Sequence, residues 1–201
     1  LLYGLRRWRD IPGQLNKFLK HYPQLIVMLV IAFLVVLPQM LYWKHVTGSF
    51  FVYSYTDEKF FFDQPMILKG LFSFRKGWYI YTPIMFFATI GLWWVRKYAP
   101  SFFWGILIFM ALNLYVLMSW WCWWYGGSFG QRTLIDSYPL MALGLASLFT
   151  VLWKKRRPLL INIFAALLLV FFLGLNQLQS FQYRNACIHW DSMSRAYYFA
   201  I

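Results

Sequence analysis

Residues 22–43, YPQLIVMLVIAFLVVLPQMLYW, hold no charged side chain and are bracketed by His21 and Lys44. An α-helix rising about 1.5 Å per residue needs about 20 such residues to cross about 30 Å of hydrocarbon. Residues 78–95, 101–121, 137–153 and 158–176 form four more apolar runs of that order. The second and fourth of the five are slightly short, and flanking Tyr and Trp at the membrane interface complete them. The pattern predicts an all-α fold: a polytopic transmembrane helical bundle of about five spans, forming a single domain over residues 1–201. No repeat or low-complexity linker divides the chain. It opens Leu1-Leu2-Tyr3 with neither an initiator Met nor a signal-peptide pattern, which reads as the C-terminal part of something longer.

Composition supports a membrane setting. Hydrophobic residues make up 61% of the chain and charged residues 12%, against about 25% charged in an average soluble domain. Lys and Arg outnumber Asp and Glu 19 to 6, for a net charge of +13. Such a balance raises nucleic acid as a partner, but these cations sit in short clusters between apolar runs and do not spread over one solvated face. We therefore expect no nucleic-acid partner.

Cytoplasmic loops carry the excess of Lys and Arg, so the N-terminal arm is placed inside. That side then holds Arg6, Arg7, Arg9, Lys17, Lys20, Arg96, Lys97, Lys154, Lys155, Arg156 and Arg157 against Asp10, a net +10. The other side holds eight basic and five acidic residues, a net +3. The N-terminus is thus expected inside and the C-terminus outside. The inner connections, RKYAP and KKRRP, are minimal, so function belongs with the longer outer segments.

The first of these, residues 44–77, is aromatic over 49–62, and residues 65–74 suit a short helix in the interface. Asp57 and Glu58 lie between aromatic runs, either as site carboxylates able to polarise an acceptor hydroxyl or as part of the solvated turn Thr56-Asp57-Glu58-Lys59. Arg75 and Lys76 stand on the outer side against the positive-inside rule. They fit contact with an anionic headgroup or lipid-linked phosphate, or snorkelling at a helix end.

The second outer segment reads WWCWWYGGSFGQR, residues 120–132. Interface anchoring accounts for two or three of its aromatic rings. Gly126, Gly127 and Gly130 with Arg132 are left over. They compose either a phosphate-binding turn of backbone N–H groups closed by a cation or a structural turn with Arg132 pairing to Asp136 four residues on. The segment lacks the Gly-Lys-Ser/Thr ending of a P-loop.

The tail contains Cys187-Ile188-His189-Trp190-Asp191, more in keeping with a packed tail than with a catalytic pair. A Cys122–Cys187 disulfide is permitted by compartment. His21, His45 and His189 fall in separate segments, so no metal site and no cofactor is expected.

Three stretches carry a family resemblance: TGSFFVYSYTDEKFF, LKGLFSFRKGWYIYTPIM and WWYGGSFGQRTLIDSYPLMAL. From about residue 42 to 196 the chain resembles the C-terminal half of bacterial multi-pass glycosyltransferases of the GT-C fold, similar to the dolichyl-phosphate-mannose protein mannosyltransferases. The resemblance implies transfer of a sugar from a polyprenyl-phosphate donor to an acceptor of unknown identity, at the periplasmic face of a bacterial inner membrane. It places the catalytic carboxylate upstream of this chain and makes Asp57 and Glu58 site-lining. Arg132, Gly126, Gly127 and Gly130 would lie near the donor phosphate, and Trp123, Trp124 and Tyr125 against a sugar face or prenyl chain. Arg75 and Lys76 would face membrane lipid or the donor. The rival reading is a non-catalytic membrane subunit that docks a protein partner through its outer loops and tail. A transporter is disfavoured, since the five runs carry ionisable residues only at their ends.

Overall fold

A computed structural model describes residues 8–55, 57–153 and 158–201. Arg6, Arg7, Thr56, Lys154, Lys155, Arg156 and Arg157, all used in the charge and turn arguments above, lie outside the described residues. The fold is 71% helical, with no strand among the described residues. It is an all-α polytopic membrane fold, and it packs as two compact units, residues 5–59 and 60–201, where the sequence suggested one.

In the N-terminal unit a 3-10 turn, Trp8–Asp10, leads into α1 (Ile11–Lys20) and α2 (Tyr22–Thr47). Ile11, Leu15, Phe18 and Leu19 fall on one face of α1 at helical spacing, the pattern of a helix lying along an apolar boundary. Helix α2 is apolar all round, with a mean hydropathy of 2.6 over its best window. It buries no residue within the fold, and Leu29 and Val35 are 71% and 73% exposed. Such a helix suits lipid, which is as apolar as its own side chains. Gly48 ends it in a left-handed conformation, φ 80°, with its N–H bonded to Lys44 O at 3.1 Å.

The C-terminal unit contains α3 (Ile67–Phe72), α4 (Trp78–Tyr81), α5 (Ile84–Tyr98), α6 (Pro100–Ser119), a 3-10 segment Arg132–Ser137 running into α7 (Tyr138–Leu152), α8 (Leu159–Arg184) and α9 (Arg195–Tyr198). Helix α3 is the short element anticipated over 65–74. Among the described residues, four helices are long and apolar enough to cross a membrane: Tyr22–Thr47, Pro100–Ser119, Arg132–Leu152 and Leu159–Arg184.

The remaining expected span, 78–95, is broken into α4 and α5. Pro83 has no N–H to offer the preceding turn and pushes Thr82 out of helical geometry, to φ −140° and ψ 69°. The break frees the carbonyls of Ile80 and Tyr81. Helix α8 supplies the missing donors, with Gln179 Nε2 at 3.1 Å from Ile80 O and Asn176 Nδ2 at 2.7 Å from Tyr81 O. Helix α8 therefore runs past the expected end at residue 176, because its polar continuation satisfies the neighbouring break. A backbone interruption at membrane depth is tolerated when protein groups satisfy it in this way.

Helices α5 and α7 run side by side in the same direction and form the closest helix pair. A Cβ on Gly91 would stand 2.0 Å from Gly144 O, and one on Gly144 would stand 2.3 Å from Ala88 O. Small residues bring the two backbones together, the usual device where lipid provides no hydrophobic drive between helices. Trp78, Ala88, Leu134 and Met141 form the buried cluster at one end of this pair. A second cluster, Tyr81, Ile188 and Met193, fixes the C-terminal tail against the α4–α5 break.

Candidate functional site

The sequence-derived residues divide between the units. Asp57 and Glu58 belong to the N-terminal unit, where Tyr53 Oη donates to Glu58 O and Glu58 N donates to Tyr55 O at 2.9 Å. This closes a turn, with Asp57 exposed. Arg75, Lys76, Trp124, Tyr125, Gly126, Gly127, Gly130 and Arg132 all belong to the C-terminal unit.

Arg75 and Lys76 sit in the turn between α3 and α4, and the C-terminal tail is folded onto them. Arg75 donates from Nη2 to Asp191 Oδ2 and from Nε to Asp191 O, both at 3.0 Å. Its guanidinium lies 3.6 Å from the centroid of the Trp124 ring, within cation–π range. Ser192 Oγ donates to the same Asp191 oxygen at 2.9 Å. Burial alone would raise the Asp191 pKa, but the hydrogen bonds from Arg75 and Ser192, with the nearby positive charge, hold it below the ordinary carboxylate value. His189 Nδ1 accepts from the backbone N–H groups of Asp191 at 3.1 Å and Ser192 at 2.8 Å, shaping the turn that presents the carboxylate.

Lys76 is 1% exposed, and buried lysines are rare unless their charge finds partners. Its Nζ donates to Trp190 O at 2.5 Å and to Ser128 O. Desolvation pulls its pKa down from 10.5 to about 8, opposed by Asp191 and assisted by Arg75 and Arg132. An ammonium has three donors, so two are engaged by carbonyls and one remains.

The glycine-rich turn wraps the other side. Tyr125 and Gly126 take left-handed conformations in succession, φ 53° and 64°. Tyr125 Oη anchors to Leu117 O at 2.9 Å. Gly127 is needed for contact: a Cβ there would meet the Trp190 ring at 2.7 Å. Gly130, at φ 56°, packs on Tyr81, where a Cβ would stand 2.9 Å from the Tyr81 Cβ. Ser128 N–H donates to Trp190 O at 3.3 Å. Of this turn, then, Gly127 and Ser128 face the tail and Gly130 the α4 end. Gln131 is buried, its Nε2 bonded to Trp123 O at 2.8 Å.

Arg132 opens the 3-10 segment and is exposed. Neither a hydrogen bond nor an ion pair joins it to Asp136 among the described residues. The 3-10 winding explains this, since three residues per turn bring i+3, not i+4, onto the same side. Cys122 and Cys187 are free thiols, and no group of three metal-ligating side chains occurs among the described residues.

The tail's part in this arrangement was not anticipated. The sequence around Trp190 and Asp191 predicts a packed tail in preference to a catalytic pair. The available signal was that Arg75-Lys76 and Asp191 both fell on the same expected side of the membrane. No protein-family model, curated protein or solved structure matches this chain. What remains is the geometry: Arg75 and Lys76 stand at the Asp191 carboxylate, and Arg132 lies near enough to Lys76 to help lower its pKa.

Proposed function

We propose that this chain contributes the donor-phosphate site of a membrane glycosyltransferase, which moves a sugar from a polyprenyl-phosphate donor to an acceptor at the outer face of a bacterial inner membrane. The observation that carries the reading is the charge imbalance just described. A surplus of positive charge beside an aromatic wall and at the end of apolar helices suits a phosphate attached to a lipid. Arg132 is the exposed one of these cations, while Arg75 and Lys76 are engaged by the tail.

In the reaction an acceptor oxygen attacks the anomeric carbon. The bond from that carbon to the phosphate oxygen breaks, and its electron pair leaves with the phosphate. Arg132 stabilises the charge that accumulates there. The acceptor's proton passes to a base outside the residues assigned here.

The test is Arg132→Ala in the full-length protein, reconstituted in membranes with a polyprenyl-phosphate sugar. Losing one preorganised donor to a developing anion costs about 10²–10³ in turnover, so a fall of about a hundredfold with unchanged insertion is expected. Wild-type turnover would sink the assignment. It would favour a second reading, a non-catalytic membrane subunit, for which the engagement of Arg75 and Lys76 by the tail is the supporting observation.

A further inference from the structure

Residues 60–66 arch over the C-terminal end of α6, and both feet of the arch stand on that helix. Phe61 N–H donates to Ser119 O at 2.6 Å and Met66 N–H to Met118 O at 2.8 Å. Tyr115 Oη adds a bond to Phe62 O at 2.8 Å. Phe60 pairs with Trp120 in an isolated antiparallel bridge, their rings edge-on at 4.7 Å. The arch is thus fixed at several points.

Beneath it lies a cavity of about 200 Å³, lined by Phe61, Gln64, Met66, Met118, Ser119, Trp120 and Trp121. It has the space of about seven waters at about 30 Å³ each, below the roughly 300–1,000 Å³ of pockets for drug-sized ligands. The lining is mixed. Trp121 lines it and is 41% exposed, so part of its indole is open to a ligand. Gln64 is exposed, so its carboxamide presents both a donor and an acceptor. Ser119 Oγ donates to Tyr115 O at 2.7 Å, which leaves its oxygen able to accept. An acyl chain would leave these polar groups without partners. A pyranose ring has an apolar C–H face for an indole and a rim of hydroxyls for an amide.

Position adds a second argument. The Trp121 ring centroid lies 5.9 Å from that of Trp124, and Trp124 carries Arg75 on its face at 3.6 Å. The pocket and the cation cluster are therefore separated by two aromatic side chains in contact. We propose that this pocket binds one neutral pyranose ring, the glycosyl unit held beside the phosphate-binding cluster. The inference deepens the glycosyltransferase reading and rests on it.

The test measures binding of methyl glycosides of glucose, mannose and galactose to the chain in lipid nanodiscs, by saturation-transfer NMR with competition. Saturable binding of at least one glycoside is expected. Trp121→Ala should weaken it about tenfold or more, and Gln64→Leu about two- to tenfold. Trp121→Phe should retain part of the affinity, which separates loss of a stacking face from misfolding. Arg132→Ala should weaken binding of inorganic phosphate. Absence of saturable binding by every glycoside, or binding indifferent to Trp121→Ala, overturns the pocket assignment. If phosphate binding survives that result, the donor-phosphate reading stands without it. If wild-type protein binds a glycoside but not phosphate, it is the donor-phosphate reading that fails.

Discussion

Lys76→Met tests whether the buried cation is held charged at a cost. The wild-type ammonium is 1% exposed and its pKa is lowered from 10.5 to about 8, chiefly by desolvation. In the unfolded chain the group keeps its ordinary value, so between pH 8 and 10.5 the unfolded state binds more protons than the folded one. Stability contributed by this group therefore rises with pH across that window and is flat below it. At about 1.36 kcal/mol per unit, the shift corresponds to at most about 3 kcal/mol between pH 7 and pH 11. Methionine keeps the length of the side chain, removes the titration, and leaves Ser128 O without the Lys76 donor, while Trp190 O keeps only the Ser128 N–H. That second effect costs about 1–3 kcal/mol per buried acceptor, but it does not depend on pH. The assay is reversible unfolding in mixed detergent micelles at pH 7, 9 and 11, comparing wild type with Lys76→Met. The wild-type advantage should grow by about 2–3 kcal/mol across the series. A difference that stays constant within about 1 kcal/mol would show that Lys76 is not desolvated as its surroundings imply.

Four further outcomes are expected. A double-mutant cycle of Arg75→Ala and Asp191→Asn should give a coupling of about 1 kcal/mol, modest because the two side chains are 28% and 19% exposed; a coupling near zero would remove the ion pair from the account of the tail. Asp191 has a lowered pKa in the folded state, so its contribution to stability is present above pH 3.8 and disappears as pH falls through the folded value, which tail proteolysis at decreasing pH would detect. Gly127→Ala places a Cβ 2.7 Å from the Trp190 ring, and should loosen the tail while leaving the α5–α7 pair folded, as read by cysteine labelling at Cys187. Gly144→Leu should instead cost about 3 kcal/mol or more, since even a Cβ there reaches 2.3 Å from Ala88 O; wild-type stability in micelles would contradict the close approach of the two helices.

Helix positions were legible where a run of apolar residues stood alone. Residues 22–43 have no charge to interrupt them, and α2 forms there and continues by one turn to Thr47. The 78–95 run was less so, although Thr82-Pro83 lay inside it: a proline marks a possible break, but whether a helix kinks or stops depends on what satisfies the released carbonyls. Here the donors come from Asn176 and Gln179, nearly a hundred residues away in sequence. The same distant demand extends α8 beyond its apolar stretch. Hydropathy measures what lipid prefers and is silent on a polar segment that remains helical for a neighbour's sake.

The site residues stood out individually for sound physical reasons, and what the sequence withheld was which of them partner each other. A glycine can be required by a left-handed φ or by a close approach, and composition does not distinguish the two. Gly126 has the first requirement with open space around it, Gly127 the second, and Gly130 both. An arginine on the outer side of a membrane protein can likewise serve a ligand or an internal carboxylate. Arg75 is committed to Asp191 and Trp124, and Lys76 to two carbonyls. This changes the meaning of the segment GGSFGQR. Gly127 and Ser128 meet the tail, Gly130 meets Tyr81, and Gln131 turns into the core; Arg132 ends as an exposed cation, close enough to Lys76 to act on its pKa. Two engaged cations cannot easily move to meet an incoming anion, yet their charge still favours one. A phosphate that approaches Arg132 therefore meets a field already set by the folded tail. Arg75→Ala should accordingly weaken phosphate binding through lost charge, even though Arg75 need not touch the phosphate.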